Sequence, residues 1–209
     1  MQRQNPPKPH QWHDNSASMA NANPPKINED STMKFHPSTV QTTCFSPLGV
    51  ITLAATPLGL AGLWFDGQQH LPDALLNTST TWPVDISHPV LRLAHQQLTE
   101  YFAGHRQHFD LPLDLSGGTD FQQAVWQALL TISPGQTQSY GQVSQHIGRP
   151  TAVRAVGAAI GRNPVSIIVP CHRVVGANGC LTGYAGGLPR KTHLLTLEGA
   201  LSRSAELLP

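Results

Sequence analysis

The stretch "IIVPCHRVVGANG", residues 167–179, joins an apolar pattern to a potentially reactive group. Branched apolar residues lead into Pro170, and Cys171 follows at once with His172 and Arg173 beside it. A short apolar run bounded by turn residues is consistent with a fully buried strand. We therefore predict a buried strand that ends at Pro170 and presents Cys171 at its tip.

Cys171 is either an inert buried thiol or a nucleophile. Most cysteines are small hydrophobes, and Cys44 and Cys180 have no neighbours that argue otherwise. A nucleophilic thiol needs a base or a positive environment. Successive side chains of a strand point to opposite faces, so a bridging water would have to join Cys171 to His172. Such a histidine needs an acid to orient it, and Glu198, in the apolar context "LLTLEG", is the candidate.

The composition is that of a globular intracellular protein. Charged residues make up 12% of the 209 residues, which excludes a highly charged disordered chain. The three cysteines are widely spaced and odd in number, so they form no disulfide framework and fit a reducing cytoplasm. No apolar run approaches the ~20 residues that span a bilayer. We expect a cytoplasmic protein with no membrane partner.

The first half of the chain reads as a tail and a small α/β domain. Residues 1–39 are rich in Pro, Asn, Gln and Ser and are expected to be a disordered tail. In residues 40–117, two turn-forming tetrads at 46–49 and 56–59 predict a meander of short strands. "HPVLRLAHQQLTEYFAG" then predicts a helix with Leu91, Ala94, Leu98 and Phe102 on one face, and "FDLPLDL" a further short strand.

Residues 118–200 are expected to form a second, mostly helical domain, followed by a tail at 201–209. "TDFQQAVWQALLTI", "SYGQVSQHIG" and "RPTAVRAVGAAIG" predict three helices, the last two in a helix-turn-helix arrangement. "GLPRKTHLLTLEG" predicts a last helix that stops at Gly199. In the second helix of the pair, Gly157 indicates close approach by either a neighbouring helix or DNA. Arg154 is either a solvated charge or a side chain that reaches the base stack.

The two halves carry opposite charge. Residues 40–118 hold two basic and six acidic residues, a net charge of −4, whereas residues 119–209 hold seven basic and three acidic residues, a net charge of +4. The basic half is a candidate surface for a polyanion such as nucleic acid. Two solvated surfaces of opposite sign remain the alternative.

The motif "VPCHRVVG", with "NPVSII" before it and "GYAGG", "RK" and "LLTLEG" after it, resembles the active-site region of the O6-alkylguanine-DNA alkyltransferases, also called methylated-DNA–protein-cysteine methyltransferases. The likeness runs over residues 119–199 and extends weakly through "SPLG" and "YFAG". It implies an α+β fold, with a small ribonuclease H-like domain of sheet and helix before a winged helix-turn-helix-like domain that binds DNA and holds the active site.

The resemblance implies a single-turnover DNA repair protein. Cys171 would take the alkyl group from O6-alkylguanine, and less well from O4-alkylthymine, to give S-alkylcysteine. His172 would act through water as the base, with Glu198 completing the relay. Asn163 would tie the recognition helix to the active-site strand by side-chain hydrogen bonds. The implied partner is alkylated duplex DNA bound through the minor groove by a monomer.

Five further residues receive roles from the same resemblance. Arg154 would enter the base stack in place of the extruded nucleotide, while Tyr140 promotes its rotation. Tyr184 would line the alkylguanine pocket. The backbone carbonyl of Val174 would hold the guanine amino group, and Lys191 falls on a position associated with the site.

The resemblance implies no cofactor, and we expect no metal. Some relatives bind zinc through cysteines and histidines in the N-terminal domain, but here that region offers only Cys44. Two other functions stay open. A lesion-binding protein of the alkyltransferase-like kind would carry tryptophan at the acceptor position, and Cys171 argues against it. A Cys-His hydrolase would not need the helix-turn-helix or Arg154.

Overall fold

The computed structural model describes residues 33–202, which belong to one compact unit. Three antiparallel strands and a long helix form the first half, and a group of helices forms the second. The strands are β1 Val40–Ser46, β2 Gly49–Thr56, β3 Gly59–Phe65, β4 Gln138–Ser139 and β5 Val174–Val175. The helices are α1 Asp73–Leu76, α2 Pro89–Phe102, α3 Asp120–Leu130, α4 Tyr140–His146, α5 Val153–Gly161 and α6 Leu188–Leu197, with a 3-10 turn at Cys171–Arg173.

The meander predicted from the two turn tetrads is confirmed. Strand β2 pairs antiparallel with both β1 and β3, and every residue of β3 is buried. Gly59 is required at its turn, because a Cβ there would lie 2.5 Å from the carbonyl oxygen of Pro112. Helix α2 covers the sheet with the predicted Leu91, Ala94 and Leu98, but Tyr101 rather than Phe102 completes its buried face.

The strand predicted for "FDLPLDL" is wrong. Only Leu113 forms a bridge, to Leu60 of β3. Leu60 donates its N–H to the carbonyl of Pro112 and accepts from the N–H of Asp114. Pro112 has no N–H to offer a ladder, so the segment pairs at one point and does not continue as a strand.

The three helices predicted after residue 118 are confirmed. Thr119 caps α3 through a capping box with Gln122, and Ser139 caps α4 in the same way with Gln142. Trp126 of α3 donates its indole N–H to the carbonyl of Ala159 at 2.9 Å, which fixes α5 against α3. Helices α4 and α5 form the helix-turn-helix, and α6 ends before Gly199 (φ 79°) as expected.

The buried strand predicted to end at Pro170 is also wrong, although the segment is buried. Val165 alone forms a parallel bridge, to Leu63 of β3. The chain then turns, with Ile167 at φ 70°, and the N–H of Val169 donates to the carbonyl of Val165 at 2.9 Å. A left-handed φ is unusual for a β-branched residue and marks a strained turn. Apolar periodicity cannot distinguish such a buried turn from a strand.

The described residues include only part of the two predicted tails. Residues 33–39, inside the predicted tail, pack on the body: Lys34 donates its N–H to the carbonyl of Gly117, and the Phe35 ring lies against Trp64 and Trp82. The rest of that tail, and residues 203–209, lie outside the described residues. The division at 117/118 remains a prediction, since one buried core contains residues from both halves. No helix in residues 33–202 is both long and apolar enough to cross a membrane.

Candidate active site

Asn163, the second residue after the end of α5, organises the turn that carries Cys171. Its side-chain oxygen accepts the N–H of Val165 at 3.0 Å, and its Nδ2 donates to the carbonyl of Val169 at 2.8 Å. The same Nδ2 lies 3.0 Å from Cys171 Sγ. One buried amide therefore joins the segment after α5 to the turn that carries Cys171.

Cys171 begins the 3-10 turn and is only 4% exposed. Burial raises the pKa of its thiol to about 11, although the hydrogen bond from Asn163 and the charge of Lys191 act in the opposite direction. Cys171 is therefore a thiol at neutral pH, and reaction at its sulfur requires a base. Among residues 33–202, Sγ is hydrogen-bonded to Asn163 and not to His172.

His172 and Glu198 form a buried, hydrogen-bonded pair. His172 Nε2 lies 3.0 Å from Glu198 Oε1, with the two side chains 0% and 2% exposed. Burial alone would raise the pKa of Glu198, but hydrogen bonds and charges from His172 and Arg173 outweigh it and lower the pKa to about 2. An ionised carboxylate only accepts hydrogen bonds, so Nε2 carries the proton and Nδ1 offers a lone pair.

The protonation of His172 fits the same role. Burial lowers the pKa of the imidazole, and its attraction to Glu198 only partly offsets this, so the ring is neutral at physiological pH. His172 Nδ1 is buried and has no hydrogen-bond partner within the described part of the chain. The pair Cys171 and His172 therefore places a thiol and a free basic nitrogen on one short turn.

Two side chains that bind Glu198 were missed by the sequence analysis. Arg173 donates from Nε to Oε2 at 2.8 Å and from Nη2 to Oε1 at 2.9 Å, and its Nη1 donates to the carbonyl of Ile132. Tyr101, on α2, donates its hydroxyl to Oε1 at 2.8 Å. Arg173 was noticed only as a cation next to Cys171. The signal for Tyr101 was its place in the "YFAG" motif, which carries no chemistry by itself.

Lys191 is fully buried, and its ammonium group hydrogen-bonds to backbone carbonyls around the site. Its ammonium donates to the carbonyls of Val174, Thr182 at 2.7 Å and Gly183 at 3.3 Å. Burial lowers the pKa of Lys191 to about 8, while the nearby Cys171 raises it. The carbonyl of Val174, predicted to bind a guanine amino group, thus already accepts one hydrogen bond and keeps its second lone pair.

A cavity of about 120 Å³ opens onto Cys171. Its walls include Tyr140, Gly157, Tyr184 and, from the loop after β3, Gln69. Burial raises the pKa of Tyr184 well above its usual value, so the phenol is neutral. The backbone N–H of Gln69 donates to the carbonyl of Ala185 at 2.9 Å, which ties the first half of the chain to the rim of the cavity. No local sequence pattern indicates this contact.

The structure also shows the surroundings of Gly157 and Arg154, for each of which the sequence allowed two roles. A Cβ on Gly157 would lie 3.7 Å from the Tyr140 ring, an ordinary contact, so helix packing does not require a glycine there. Its missing side chain instead leaves room in the cavity, of which it forms a wall. Arg154 lies one turn earlier, exposed and outside the cavity walls, so it is not brought together with the residues around Cys171.

Within residues 33–202 no group of three or more His, Cys, Asp or Glu side chains is placed to hold a metal ion. Cys44, the only cysteine of the first half, is buried, and burial raises the pKa of its thiol to about 11.

Comparison with known proteins matches both halves of the chain to one family. Family models described as 6-O-methylguanine DNA methyltransferase match at residues 39–115, the ribonuclease-like domain, and 120–200, the DNA binding domain. The methylated-DNA–protein-cysteine methyltransferase of Mycobacterium tuberculosis H37Rv is 51% identical over 153 residues, 73% of this chain and 88% of the relative. That of Methanosarcina acetivorans is 46% identical over 158 residues, 74% and 95% of the two chains.

Solved structures agree with the described fold. The crystal structure of Mycobacterium tuberculosis OGT in complex with DNA matches with a TM-score of 0.68 and 48% identity, over 77% of this chain and 93% of that one. The O6-methylguanine-DNA methyltransferase of Pyrococcus kodakaraensis, at 24% identity and a TM-score of 0.53, shares the fold. With family models matching both halves and relatives of about half identity covered over most of their length, this chain belongs to the methylated-DNA–protein-cysteine methyltransferase family.

Proposed function

We propose that this protein repairs DNA by transferring the alkyl group of O6-alkylguanine, and less well of O4-alkylthymine, to its own Cys171. The observation that carries the proposal is the buried Cys171 thiol at the floor of a cavity, next to a neutral histidine held by an ionised glutamate. The names of the relatives support the same reaction.

The relay supplies the base that the thiol needs. A thiol with a pKa of about 11 gives up its proton to the lone pair of His172 Nδ1 through a bridging water, while Nε2–H donates to Glu198. The sulfur forms a bond to the alkyl carbon, and the bond from that carbon to O6 breaks with its electron pair left on the guanine. The guanine takes up one proton, which balances the proton lost by Cys171. Because a thioether offers no easy way back, each molecule reacts once.

The helix-turn-helix would deliver the lesion to the cavity. Gly157 lines the cavity and Arg154 lies one turn earlier on the exposed face of α5, so a helix in the minor groove would direct Arg154 at the base stack. We propose that Arg154 fills the gap left by the flipped nucleotide, while Tyr140, on the cavity wall, promotes its rotation. Tyr184 would then flank the flipped base. The Val174 carbonyl would accept a hydrogen bond from the amino group of the flipped base, and Lys191 would orient that carbonyl.

We also propose that the protein acts as a monomer in the cytoplasm. Its three cysteines are free, and two of them are buried, which fits a reducing compartment.

Transfer of a labelled methyl group tests the proposal directly. Duplex DNA with ³H-labelled O6-methylguanine should transfer about one equivalent of label per protein, mapping to Cys171, and Cys171→Ala should abolish the transfer. Cys180→Ala is the matched control, since Cys180 is an exposed free thiol, and it should transfer normally. Binding without transfer would indicate a lesion-binding protein, and repeated turnover on esters a hydrolase; either result contradicts the proposal.

A further inference from the structure

Between residue 33 and the end of the first half, Tyr101 is the one side chain that hydrogen-bonds to Glu198. It lies in the last turn of α2, is 2% exposed, and packs its ring against Phe102 and Phe109 at centroid distances of 5.4 and 5.3 Å. Its hydroxyl donates to Glu198 Oε1 at 2.8 Å across 97 residues of sequence. The ring is therefore fixed by apolar packing, and the hydroxyl is directed at one carboxylate oxygen.

That oxygen is shared by three donors. Glu198 Oε1 accepts from Tyr101, from His172 Nε2 at 3.0 Å and from Arg173 Nη2 at 2.9 Å, while Oε2 accepts from Arg173 Nε. Three of these contacts fall on Oε1 and one on Oε2, so the three donors compete for the lone pairs of a single oxygen. The carboxylate thus has one orientation, and its negative charge is divided among its donors.

We propose that Tyr101 is a positioning residue for the relay, which holds Glu198 Oε1 against His172 Nε2 and limits how strongly that oxygen draws on the imidazole. The inference rests on the proposed function, because it assigns Tyr101 to the same base. Arg173 fixes the carboxylate as well but brings a positive charge beside His172. Tyr101 adds a donor without adding charge, and so can orient Glu198 without repelling the imidazolium.

Removing the Tyr101 hydroxyl should shift the pKa of His172 in a definite direction. With one donor fewer, Oε1 becomes a stronger acceptor for His172 Nε2–H and favours the protonated imidazole. The pKa of His172 then rises, and a higher pH is needed to keep Nδ1 free as a base. The other charged and titratable groups that face the relay are Arg173, Lys191, Cys171 and Tyr184, and none of them is altered by the change.

Tyr101→Phe tests this, since it keeps the packed ring. The probe is free O6-benzylguanine, which reacts without DNA binding, and the measurement is the single-turnover rate constant between pH 5 and 9. We expect the acid limb to move to higher pH by roughly half a unit or more, so that the rate at a fixed pH well down that limb falls about threefold or more. An acid limb that coincides with that of the unmodified protein overturns the proposal.

Phe109→Leu is the control for packing. Phe109 contacts the Tyr101 ring but makes no contact with Glu198, so this variant should lower Tm and leave the acid limb in place. Equal shifts in both variants would mean that packing alone is responsible, and would also overturn the proposal. The unmodified protein is the reference for the proposed function: if it fails to react with benzylguanine, the function is wrong, whereas a reactive protein with an unshifted Tyr101→Phe profile rejects only the role of Tyr101.

Discussion

Arg173 can be buried only because Glu198 is ionised beside it. The guanidinium is 7% exposed and meets the carboxylate through two nitrogens, and its third nitrogen is taken by the carbonyl of Ile132. Breaking one partner of a buried pair leaves the other as an uncompensated charge, which costs far more than the pair contributes when intact. Glu198 is thus a structural requirement as well as part of the relay.

Glu198→Gln should therefore destabilise the fold at pH 7 by about 3–5 kcal/mol. The amide keeps the shape of the side chain but removes the charge that faces Arg173 and turns one acceptor into a donor. Urea unfolding followed by circular dichroism measures the change. Glu100→Gln is the matched control: Glu100 pairs with Arg106 at 2.7 Å on the surface, with side chains 32% and 27% exposed, and should have a much smaller effect. Equal losses in the two variants would contradict the buried role.

The same carboxylate predicts an acid-dependent loss of stability. Its folded pKa of about 2 lies below the ordinary value of about 4.3, so the unfolded chain binds more protons between these two values. The stabilisation by Glu198 is complete above about pH 4.3 and is lost as the pH falls through about 2. We expect the free energy of unfolding of Glu198→Gln to fall less steeply between pH 4.5 and 2 than that of the unmodified protein. Parallel slopes over this range would contradict the assignment.

At the level of elements, the three-stranded meander and helices α2 to α6 followed from the sequence, whereas α1, the short β4–β5 pair and the turn that carries Cys171 did not. The helices around the site were predictable because apolar spacing and capping residues such as Thr119 are local signals. The turn between Asn163 and Cys171 was not, since it pairs with β3 only around Leu63 and the Asn163 side chain binds the N–H of Val165 and the carbonyl of Val169. A side chain that replaces a strand partner leaves no periodicity to detect.

Helix α5 allows binding to DNA and reaction at sulfur to be separated. Arg154 is exposed and outside the cavity walls, so Arg154→Ala should leave the reaction with free benzylguanine unchanged. Repair of O6-methylguanine in duplex DNA should slow by roughly tenfold to a hundredfold, because nothing then offsets the cost of unstacking the base. Single-turnover rates with both substrates measure this. Arg92→Ala, an exposed arginine on α2, is the control and should alter neither rate; equal losses on both substrates in Arg154→Ala would argue against the stacking role.

At the scale of the whole molecule, contacts between the halves were beyond the reach of the sequence. Tyr101 contacts Glu198 across 97 residues of sequence, and Val165 forms a bridge to Leu63 of β3 across a similar span. Neither contact leaves a local pattern, because each depends on how the packed halves meet. Cys171, His172 and Glu198 could be found from the motif, but the residues that hold Glu198 in place could not.

Net charge by sequence also overstates the surface available to DNA. Of the basic residues in the second half, Arg173 and Lys191 are buried and fully engaged by acceptors. Arg190 binds the carbonyls of Leu48 and Gly186 and lies over the Phe65 ring. Arg203 lies outside the described residues. Among the described residues of the second half, the remaining candidates for phosphate contacts are Arg149, Arg154 and Arg162, of which the first two are exposed and the third is half-buried.

This small set predicts a shallow salt dependence of DNA binding. Two or three phosphate contacts give a slope of log K against log salt concentration of about −2 to −3. Arg149→Ala should make the slope less negative by about one, whereas Arg106→Ala, on the acidic half and paired with Glu100, should not change it. Fluorescence anisotropy with a labelled duplex between 50 and 300 mM NaCl measures both slopes. A slope far steeper than −3, or one unaffected by Arg149→Ala, would mean that another surface carries the contacts, and the helix-turn-helix would not be the main electrostatic site.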